Sequence, residues 1–133
     1  MAFDREVKGD VLVLTPRKNL VGGNETLELL KAIDDIAAVH TPRVVVDMGE
    51  IGWVSSLGVG LLRKASITCD RDGGWLRLAR IGKIIENTLL VTGLIIYFET
   101  FETVELALTT PAGEGRRGTP GTRPDKPTTR PGA

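Results

Sequence analysis

Cysteine, histidine and aromatic residues are all scarce in this sequence, and each shortage removes a class of function. Among the 133 residues there is one cysteine, Cys69, and one histidine, His40. A single thiol cannot form an internal disulfide, and these two residues are too few for a thiolate or multi-histidine metal site, so we expect no metal. Aromatic residues make up 5% of the chain, too few for a stacking platform that binds single-stranded nucleic acid.

Net charge and long apolar runs are also missing. Lys and Arg number 17, and so do Asp and Glu, which argues against a strongly basic nucleic-acid-binding protein. The longest apolar stretch, Thr88 to Phe98, is interrupted by Thr92 and Gly93 and is shorter than the ~20 residues of a membrane span. The segment from Met1 to Asp10 lacks the apolar centre of a signal peptide. We therefore predict a cytoplasmic protein without a membrane span.

The composition changes sharply near Thr110. Residues 111–133 hold five of the seven prolines and five of the sixteen glycines, and their apolar residues are alanines. Such a segment buries too little apolar surface to offset the entropy lost on ordering. The sequence thus predicts one folded domain over residues 1–110 and a disordered tail over residues 111–133. Five basic and two acidic side chains give that tail a net charge of +3.

The predicted domain alternates strand and helix patterns. The predicted strands are Phe3–Val7, Val11–Thr15, Val44–Val46, Trp75–Leu78 and Ile95–Phe98. The predicted helices are one capped by Asn24 and ended by Thr41–Pro42, then Ser56–Cys69, Lys83–Val91 and Phe101–Leu108. The order β-β-α-β-α-β-α-β-α predicts an α/β fold, with helices packed on a mixed, largely parallel sheet. Functional groups in such sheets lie beyond the carboxyl ends of central strands, so the segment after Asp47 is the first place to look.

That segment carries a recognisable pattern. Residues 44–63 read VVVDMGEIGWVSSLGVGLLR, a strand followed by a loop, two serines and a glycine-containing helix start. This resembles the STAS domain of bacterial anti-sigma factor antagonists, in which a strand ending in aspartate precedes Asp-Ser-Ser-Gly-Leu-Gly and a Leu-rich helix. Downstream, Gly74–Leu78, Leu90–Leu94 and Phe101–Leu108 resemble the family's Gly-Gly-x-Leu-x-Leu strand, Leu-x-x-Thr-Gly-Leu helix end and closing helix. Together the matches cover nearly all of residues 1–110.

The resemblance implies a phosphorylation site. In the family, the first serine of Asp-Ser-Ser-Gly accepts the phosphate. An ungapped alignment from Asp47 places Ser55 on the family's aspartate, Ser56 on the acceptor, Leu57 on the second serine and Gly58 on the glycine. Ser56 is therefore the expected acceptor, and a shift of one residue would make it Ser55 instead. The family's aspartate helps the kinase-like partner to recognise the acceptor, and this chain has no aspartate there.

The implied function is that of a non-enzymatic, cytoplasmic binding switch in transcription regulation. The unphosphorylated protein would bind an anti-sigma factor of the histidine-kinase-like ATPase type and so release a sigma factor. That partner would act as the serine kinase, and a serine phosphatase would reset the switch. One alternative is a non-phosphorylated STAS subunit of a larger assembly, such as a stress-signalling or lipid-transport complex, which the missing aspartate favours. A second alternative is a small-ligand or nucleotide-binding domain.

Nucleotide binding would have to use the loop before Gly58. The chain has no P-loop, and Gly58-Val59-Gly60 lacks the third glycine of a dinucleotide fingerprint, so we expect no cofactor. The same glycines have two other interpretations. They permit tight packing of the helix inside the fold, or they let a partner's backbone approach the start of the helix.

The residues expected to bind the partner surround Ser56. They are Asn24, Trp53, Ser55, Ser56, Leu57, Gly58, Val59, Gly60 and Arg63. For Trp53 the first interpretation is a core residue and the second an exposed anchor. Arg63 lies about two helical turns beyond Ser56 and thus roughly on the same face, where it is either solvated or in contact with an acidic partner. The two serines are either a switch or only a helix cap.

Overall fold

The computed structural model describes residues 3–111 and 114–115. Within those ranges, one sheet contains β1 (Phe3–Lys8), β2 (Val11–Pro16), β3 (Arg43–Asp47), β4 (Trp75–Ala79) and β5 (Glu99–Phe101). The helices are α1 (Asn24–Ala37), α2 (Ser56–Arg71), α3 (Lys83–Thr92) and α4 (Val104–Thr109). The predicted disordered tail lies outside the described residues, apart from positions 111, 114 and 115. No helix in the described ranges is both long enough and apolar enough to cross a bilayer.

The strands lie side by side in chain order, β1-β2-β3-β4-β5. β1 and β2 form an antiparallel hairpin, and its turn passes through Gly9, whose φ of 64° suits glycine. All later neighbours are parallel. The predicted mixed, largely parallel sheet is therefore confirmed. Parallel neighbours also bring the carboxyl ends of β2, β3 and β4 to one edge of the sheet, where the loops leading into α1, α2 and α3 begin.

The two faces of the sheet are covered unequally. Because side chains alternate along a strand, Val44 and Val46 face one side and Val45 faces the other. The main core fills the first side, where strand residues pack against α1, α2 and α3 through side chains such as Ile33 and Leu62, which are fully buried. A smaller cluster with α4 lies on the second side. The continuous valine run of β3 is thus buried on both faces, as a central parallel strand should be.

A buried ion pair lies on the second face. Arg77 is 1% exposed, and its Nε lies 3.1 Å from a carboxylate oxygen of Glu99. Its Nη1 donates at 2.8 Å to the carbonyl oxygens of Ala107 and Thr110. The guanidinium also lies 4.0 Å from the centre of the Trp75 ring. Arg77 therefore provides hydrogen-bond partners for the end of α4, whose last carbonyls have none within the helix.

Two predicted elements near the end of the domain differ from the structure. Ile95–Phe98, predicted as a strand, falls largely within a 3₁₀ turn over Leu94–Tyr97, and the last strand is β5. Ile95 and Phe98 are both buried, and their spacing of three matches a 3₁₀ period rather than a strand. The closing helix begins at Val104 rather than at residue 101, because the Thr103 hydroxyl caps it by accepting the Leu106 N–H at 3.1 Å.

The start of the first helix also differs. Asn24 was expected to cap α1, but the N-cap is Gly23 and Asn24 is the first helical residue. Gly23 has no side chain with which to cap α1, but the Glu25 carboxylate accepts the Thr26 backbone N–H at 2.9 Å. Thr26 also reaches back, and its hydroxyl accepts the Gly22 N–H at 3.0 Å. This bond stabilises the loop between β2 and α1, which forms one half of the site described next.

Candidate functional site

The start of α2 is built around Ser55. The Ser55 hydroxyl is the N-cap and accepts the Gly58 N–H at 2.9 Å, while its carbonyl accepts the Val59 N–H at 2.9 Å. Its own N–H donates at 2.9 Å to the carbonyl of Leu20, in the loop that precedes α1. The hydroxyl of Ser55 is therefore engaged in holding the helix start. The interpretation of the serine pair as a cap applies to this residue.

Ser56 is differently placed. It is the first residue of α2 and is exposed to solvent. Among the hydrogen bonds within the described ranges, none uses its hydroxyl, in contrast to that of Ser55. The first turn of α2 contains no acidic side chain, so Ser56 lies at the positive end of the helix dipole without a neighbouring carboxylate in that turn. Sequence reasoning placed the two serines together but did not distinguish these surroundings.

Two loops at the carboxyl edge of the sheet join to form the site, and we call residues 17–23 and 48–55 the paired loops. The side-chain oxygen of Asn19 accepts the N–H groups of Gly52 and Trp53 at 3.1 and 3.2 Å. Leu20 and Val54 form an isolated parallel bridge beside these bonds. The paired loops thus hold each other through backbone groups. Asn19 was not among the predicted site residues, since its contacts are with residues more than thirty positions away.

The paired loops and the start of α2 expose large apolar side chains. Trp53 is 46% exposed, Leu57 is 60% exposed and Val21 is 39% exposed. The first interpretation of Trp53, a core residue, is therefore wrong, and the second, an exposed side chain, agrees with the structure. Leu57 lies against Gly22, where an added Cβ would come within 2.6 Å of the Leu57 Cγ. Exposed apolar side chains grouped in this way are a feature of protein interaction surfaces.

The three residues Gly58-Val59-Gly60 play different parts. A Cβ on Gly58 would lie 2.8 Å from the carbonyl carbon of Leu20, so this glycine allows α2 to pack against the loop between β2 and α1. Val59 is fully buried in the main core. Neither residue offers a surface to a partner, so close packing explains Gly58 better than an approaching partner backbone does. Gly60 is exposed, and no atom of the described residues would lie within 4 Å of an added Cβ.

The remaining two predicted partner-binding residues, Asn24 and Arg63, have different surroundings. Asn24 is exposed at the start of α1. Arg63 is half-buried, and its guanidinium lies 3.8 Å from the centre of the Tyr97 ring and donates to the Ser66 hydroxyl at 3.2 Å. Arg63 is therefore a stacked residue rather than a freely solvated one. A cation over a tyrosine ring at this distance is a favourable contact.

Charged side chains hold the base of the second loop. The Asp47 carboxylate accepts the Gly49 N–H at 3.0 Å, as is typical of an aspartate at a strand end. It also accepts hydrogen bonds from Arg80 Nε at 2.8 Å and from Arg80 Nη2 at 3.1 Å. Glu50 lies 3.4 Å from Arg80 and 3.7 Å from Arg17. The hydrogen bond with Asp47 raises the pKa of the Arg80 guanidinium further above its usual value. Both arginines directly follow parallel strands, which is the sequence signal that could have identified them.

Comparison with known proteins adds a family and a set of similar folds. The family model of the STAS domain matches residues 2–107 of this chain. Among curated proteins there is no match. Solved structures that resemble this chain include TM1081 from Thermotoga maritima, at 18% identity and a TM-score of 0.71, over 80% of this chain and 91% of that one. The anti-sigma factor antagonist SpoIIAA in its unphosphorylated form has 18% identity and a TM-score of 0.67, over 80% and 93% of the two chains.

A membrane transporter is also similar. Murine Slc26a9, an anion transporter in its inward-facing state, has 19% identity and a TM-score of 0.59, over 74% of this chain and 17% of that chain. At these sequence identities, the structural similarity shows a shared fold and nothing more. The same fold therefore occurs in a small regulator and as a small part of a much longer transporter, so the fold alone does not select between these roles.

Proposed function

Because the chain belongs to the STAS domain family, we propose that it is an anti-sigma factor antagonist. It binds a kinase-type anti-sigma factor through the paired loops and the first turn of α2, and phosphorylation of Ser56 ends that binding. The observation that carries the proposal is the contrast between the two serines. Ser56 is exposed, and its hydroxyl has no hydrogen-bond partner among the residues that the structure describes, whereas the Ser55 hydroxyl caps the helix by bonding to Gly58.

The proposed switch is a phosphoryl transfer from ATP held by the partner. The Ser56 hydroxyl oxygen forms a bond to the γ-phosphorus, and the bond from that phosphorus to the β–γ bridging oxygen breaks. ADP leaves and the hydroxyl proton is released. The transfer requires an acceptor hydroxyl that can enter another protein's active site, and the exposed first residue of a helix meets this requirement. This chain contributes the acceptor and no catalytic group.

The phosphate acts through charge. Phosphorylation adds about −1.5 to −2 charges at pH 7 to a position beside Trp53 and Leu57, which are exposed apolar side chains. A partner that covers this surface in its neutral form would have to desolvate the phosphate. A tenfold loss of affinity corresponds to ~1.4 kcal/mol, and like-charge or desolvation mismatches at interfaces cost several kcal/mol, so one phosphate is sufficient.

A second candidate function follows from one departure from the family pattern. Ser55 stands where the family has the aspartate that helps the kinase to recognise the acceptor. An uncharged residue there favours a STAS subunit of a larger assembly, in which the same surface binds a partner and Ser56 is never modified. The two candidate functions share the binding surface and differ only in whether the Ser56 hydroxyl is phosphorylated.

The deciding experiment is intact-mass analysis of the protein from its native cells, with fragmentation to locate any modification. We expect a fraction of the molecules to carry one phosphoryl group on Ser56. The Ser56→Ala variant should lose it, and the matched control Ser55→Ala should keep it. Phosphate on Ser55 would move the acceptor by one residue. Its absence under all growth conditions would favour the assembly subunit.

Binding supplies an independent test. Ser56→Asp places a negative charge at the acceptor position, and we expect it to weaken capture of the anti-sigma factor at least tenfold, while Ser56→Ala binds like the unmodified protein. The matched control is Thr109→Asp, which adds the same charge at an exposed position of α4, on the other face of the sheet. If Ser56→Asp and Ser56→Ala bound the partner equally well, the phosphorylation switch would be refuted, and only the proposed binding surface would remain.

A further inference from the structure

Arg80 has an unusual backbone. Its φ is 55°, and it is the one non-glycine residue with positive φ in the part of the chain that the structure describes. The left-handed region is unfavourable for residues with a Cβ, and arginine has no short polar side chain to compensate locally. Such a conformation persists only where surrounding contacts impose it, and it is often found at functional sites.

The contacts that impose it come from both directions. The Arg80 N–H donates to the carbonyl of Phe101 at 2.9 Å, and the preceding residue, Ala79, accepts the Met48 N–H at 2.8 Å. The backbone at the end of β4 is therefore bonded on both sides. Held in this way, the Arg80 side chain crosses to the loop after β3, where a Cβ on Gly49 would come within 2.5 Å of the Arg80 Nε.

The guanidinium then holds the first half of that loop. It binds Asp47 with two nitrogens and Glu50 with one of them, and Asp47 also accepts the Gly49 N–H. The second half of the same loop is held separately, by Asn19. Asp47 is also the less solvated partner, with its side chain 11% exposed against 42% for Arg80. The pair is thus partly desolvated and geometrically specific, unlike an exposed surface ion pair.

We propose that Arg80 is a positioning residue of the partner-binding site. Its left-handed backbone directs the guanidinium onto Asp47, Gly49 and Glu50, and this fixes the loop that presents Trp53 and leads into Ser56. A loop held in one conformation before binding loses less entropy when a partner binds. That last step, from loop order to partner affinity, rests on the proposed function, whereas the positioning itself is a property of the free protein.

Arg80→Gly separates positioning from global stability. Glycine adopts a φ of 55° without strain, so the substitution relieves the backbone while it removes the guanidinium. We expect the melting temperature to stay within a few degrees of the unmodified value, since the two effects oppose each other. Amide hydrogen exchange, measured residue by residue on the free full-length chain, should accelerate about tenfold at Gly49, whose N–H bonds to Asp47. The acceleration should be smaller at Gly52 and Trp53, which Asn19 also holds, and exchange should remain unchanged in β2 and β3.

A second variant removes the same contact from the other side. Asp47→Asn keeps the left-handed Arg80 and should accelerate exchange at the same loop amides. Arg80→Lys keeps the charge but not the two-nitrogen geometry, and should fall between Arg80→Gly and the unmodified chain. The matched control is Arg43→Gln, which breaks the 2.8 Å ion pair with Asp10 at the opposite end of β3 and should leave the loop unaffected.

Unchanged loop exchange in both Arg80→Gly and Asp47→Asn would overturn the proposal. So would accelerated exchange across the whole sheet in Arg80→Gly, because Arg80 would then stabilise the fold rather than position the loop. All of these measurements use the free chain. They would therefore stand or fall independently of whether Ser56 is phosphorylated or which partner binds.

Discussion

Replacing Gly58 with alanine tests the contact that joins the paired loops to α2. A methyl group there would lie 2.8 Å from the carbonyl carbon of Leu20 and closer still to its oxygen. That oxygen accepts the Ser55 N–H at 2.9 Å, so it cannot retreat without breaking a hydrogen bond at the helix start. The neighbouring atoms are backbone rather than a flexible side chain, and the loop itself must shift to make room.

The expected magnitude follows from two opposing effects. In an open helix, glycine to alanine stabilises by up to ~1 kcal/mol. Overpacking a close contact typically costs about 1–3 kcal/mol, and a weakened hydrogen bond adds about 1 kcal/mol. We therefore expect Gly58→Ala to lower the free energy of unfolding by about 1–3 kcal/mol. Gly60→Ala is the matched control, because nothing lies within 4 Å of its added Cβ. It should stabilise by about 0.5–1 kcal/mol.

Urea denaturation followed by circular dichroism measures both free energies of unfolding. Tryptophan fluorescence adds a local measurement. Displacement of residues 17–23 should alter the surroundings of Trp53, because its backbone N–H donates to the Asn19 side chain. With Trp75 replaced by phenylalanine, so that the emission comes from Trp53, we expect Gly58→Ala to change the fluorescence of the folded chain and Gly60→Ala to leave it unchanged. If Gly58→Ala stabilised the chain as much as Gly60→Ala, the close contact between α2 and the Leu20 carbonyl would be refuted.

Three other predictions concern the end of the domain, the single thiol and the serine pair. Truncation after Gly115 should preserve the free energy of unfolding, whereas truncation after Thr109 should lower it by about 1–3 kcal/mol. The shorter chain lacks the Thr110 and Pro111 carbonyls that bond to Arg77 and the Gly115 N–H that bonds to Glu99. Equal free energies of unfolding for the two truncated chains would contradict this prediction. Burial raises the pKa of the Cys69 thiol from 9.0 to about 12, so the contribution of the neutral thiol to stability should be present below pH 9 and lost between pH 9 and 12; at pH 8 a maleimide should label the folded chain far more slowly than the urea-unfolded chain. Ser55→Asp should raise phosphorylation of Ser56 by the kinase-type partner with little change in melting temperature, and an unchanged rate would show that the family's aspartate has no role in recognition here.

Much of the fold was predictable because its signals are local. The valine run of β3 and the glycine turns before β4 and after α3 specify where elements begin and end, and β3 and β4 were found where the sequence predicts them. The largest exception is Ile95–Phe98, predicted as a strand. An apolar run of four residues suits a strand or a turn equally well, and only packing against the main core decides between them.

The site was less predictable because its contacts are not local. The start of α2 could be found from the sequence, but the side chains that support it come from other strands. Asn19 bonds across more than thirty residues to Trp53, and Arg80 does the same to Asp47. Single-sequence reasoning has no means to pair such residues. Arg77 is a further case, since a charged residue in a strand suggests solvent, whereas here it is buried against Glu99 and the end of α4.

The replacement of the family's aspartate by Ser55 separates two functions that one residue would otherwise combine. Serine and aspartate are comparably good N-caps, and the 2.9 Å bond from Gly58 to Ser55 shows that the capping function is retained. What the chain lacks at this position is a negative charge beside Ser56, the proposed acceptor. Because serine and aspartate both cap the helix, the geometry of Ser56 and of the exposed Trp53 and Leu57 does not depend on which of the two stands at position 55. If the proposed switch holds, partner binding and phosphorylation can be changed separately: Ser55→Asp should raise phosphorylation of Ser56, and Ser56→Ala should abolish it, while both variants bind the partner like the unmodified chain.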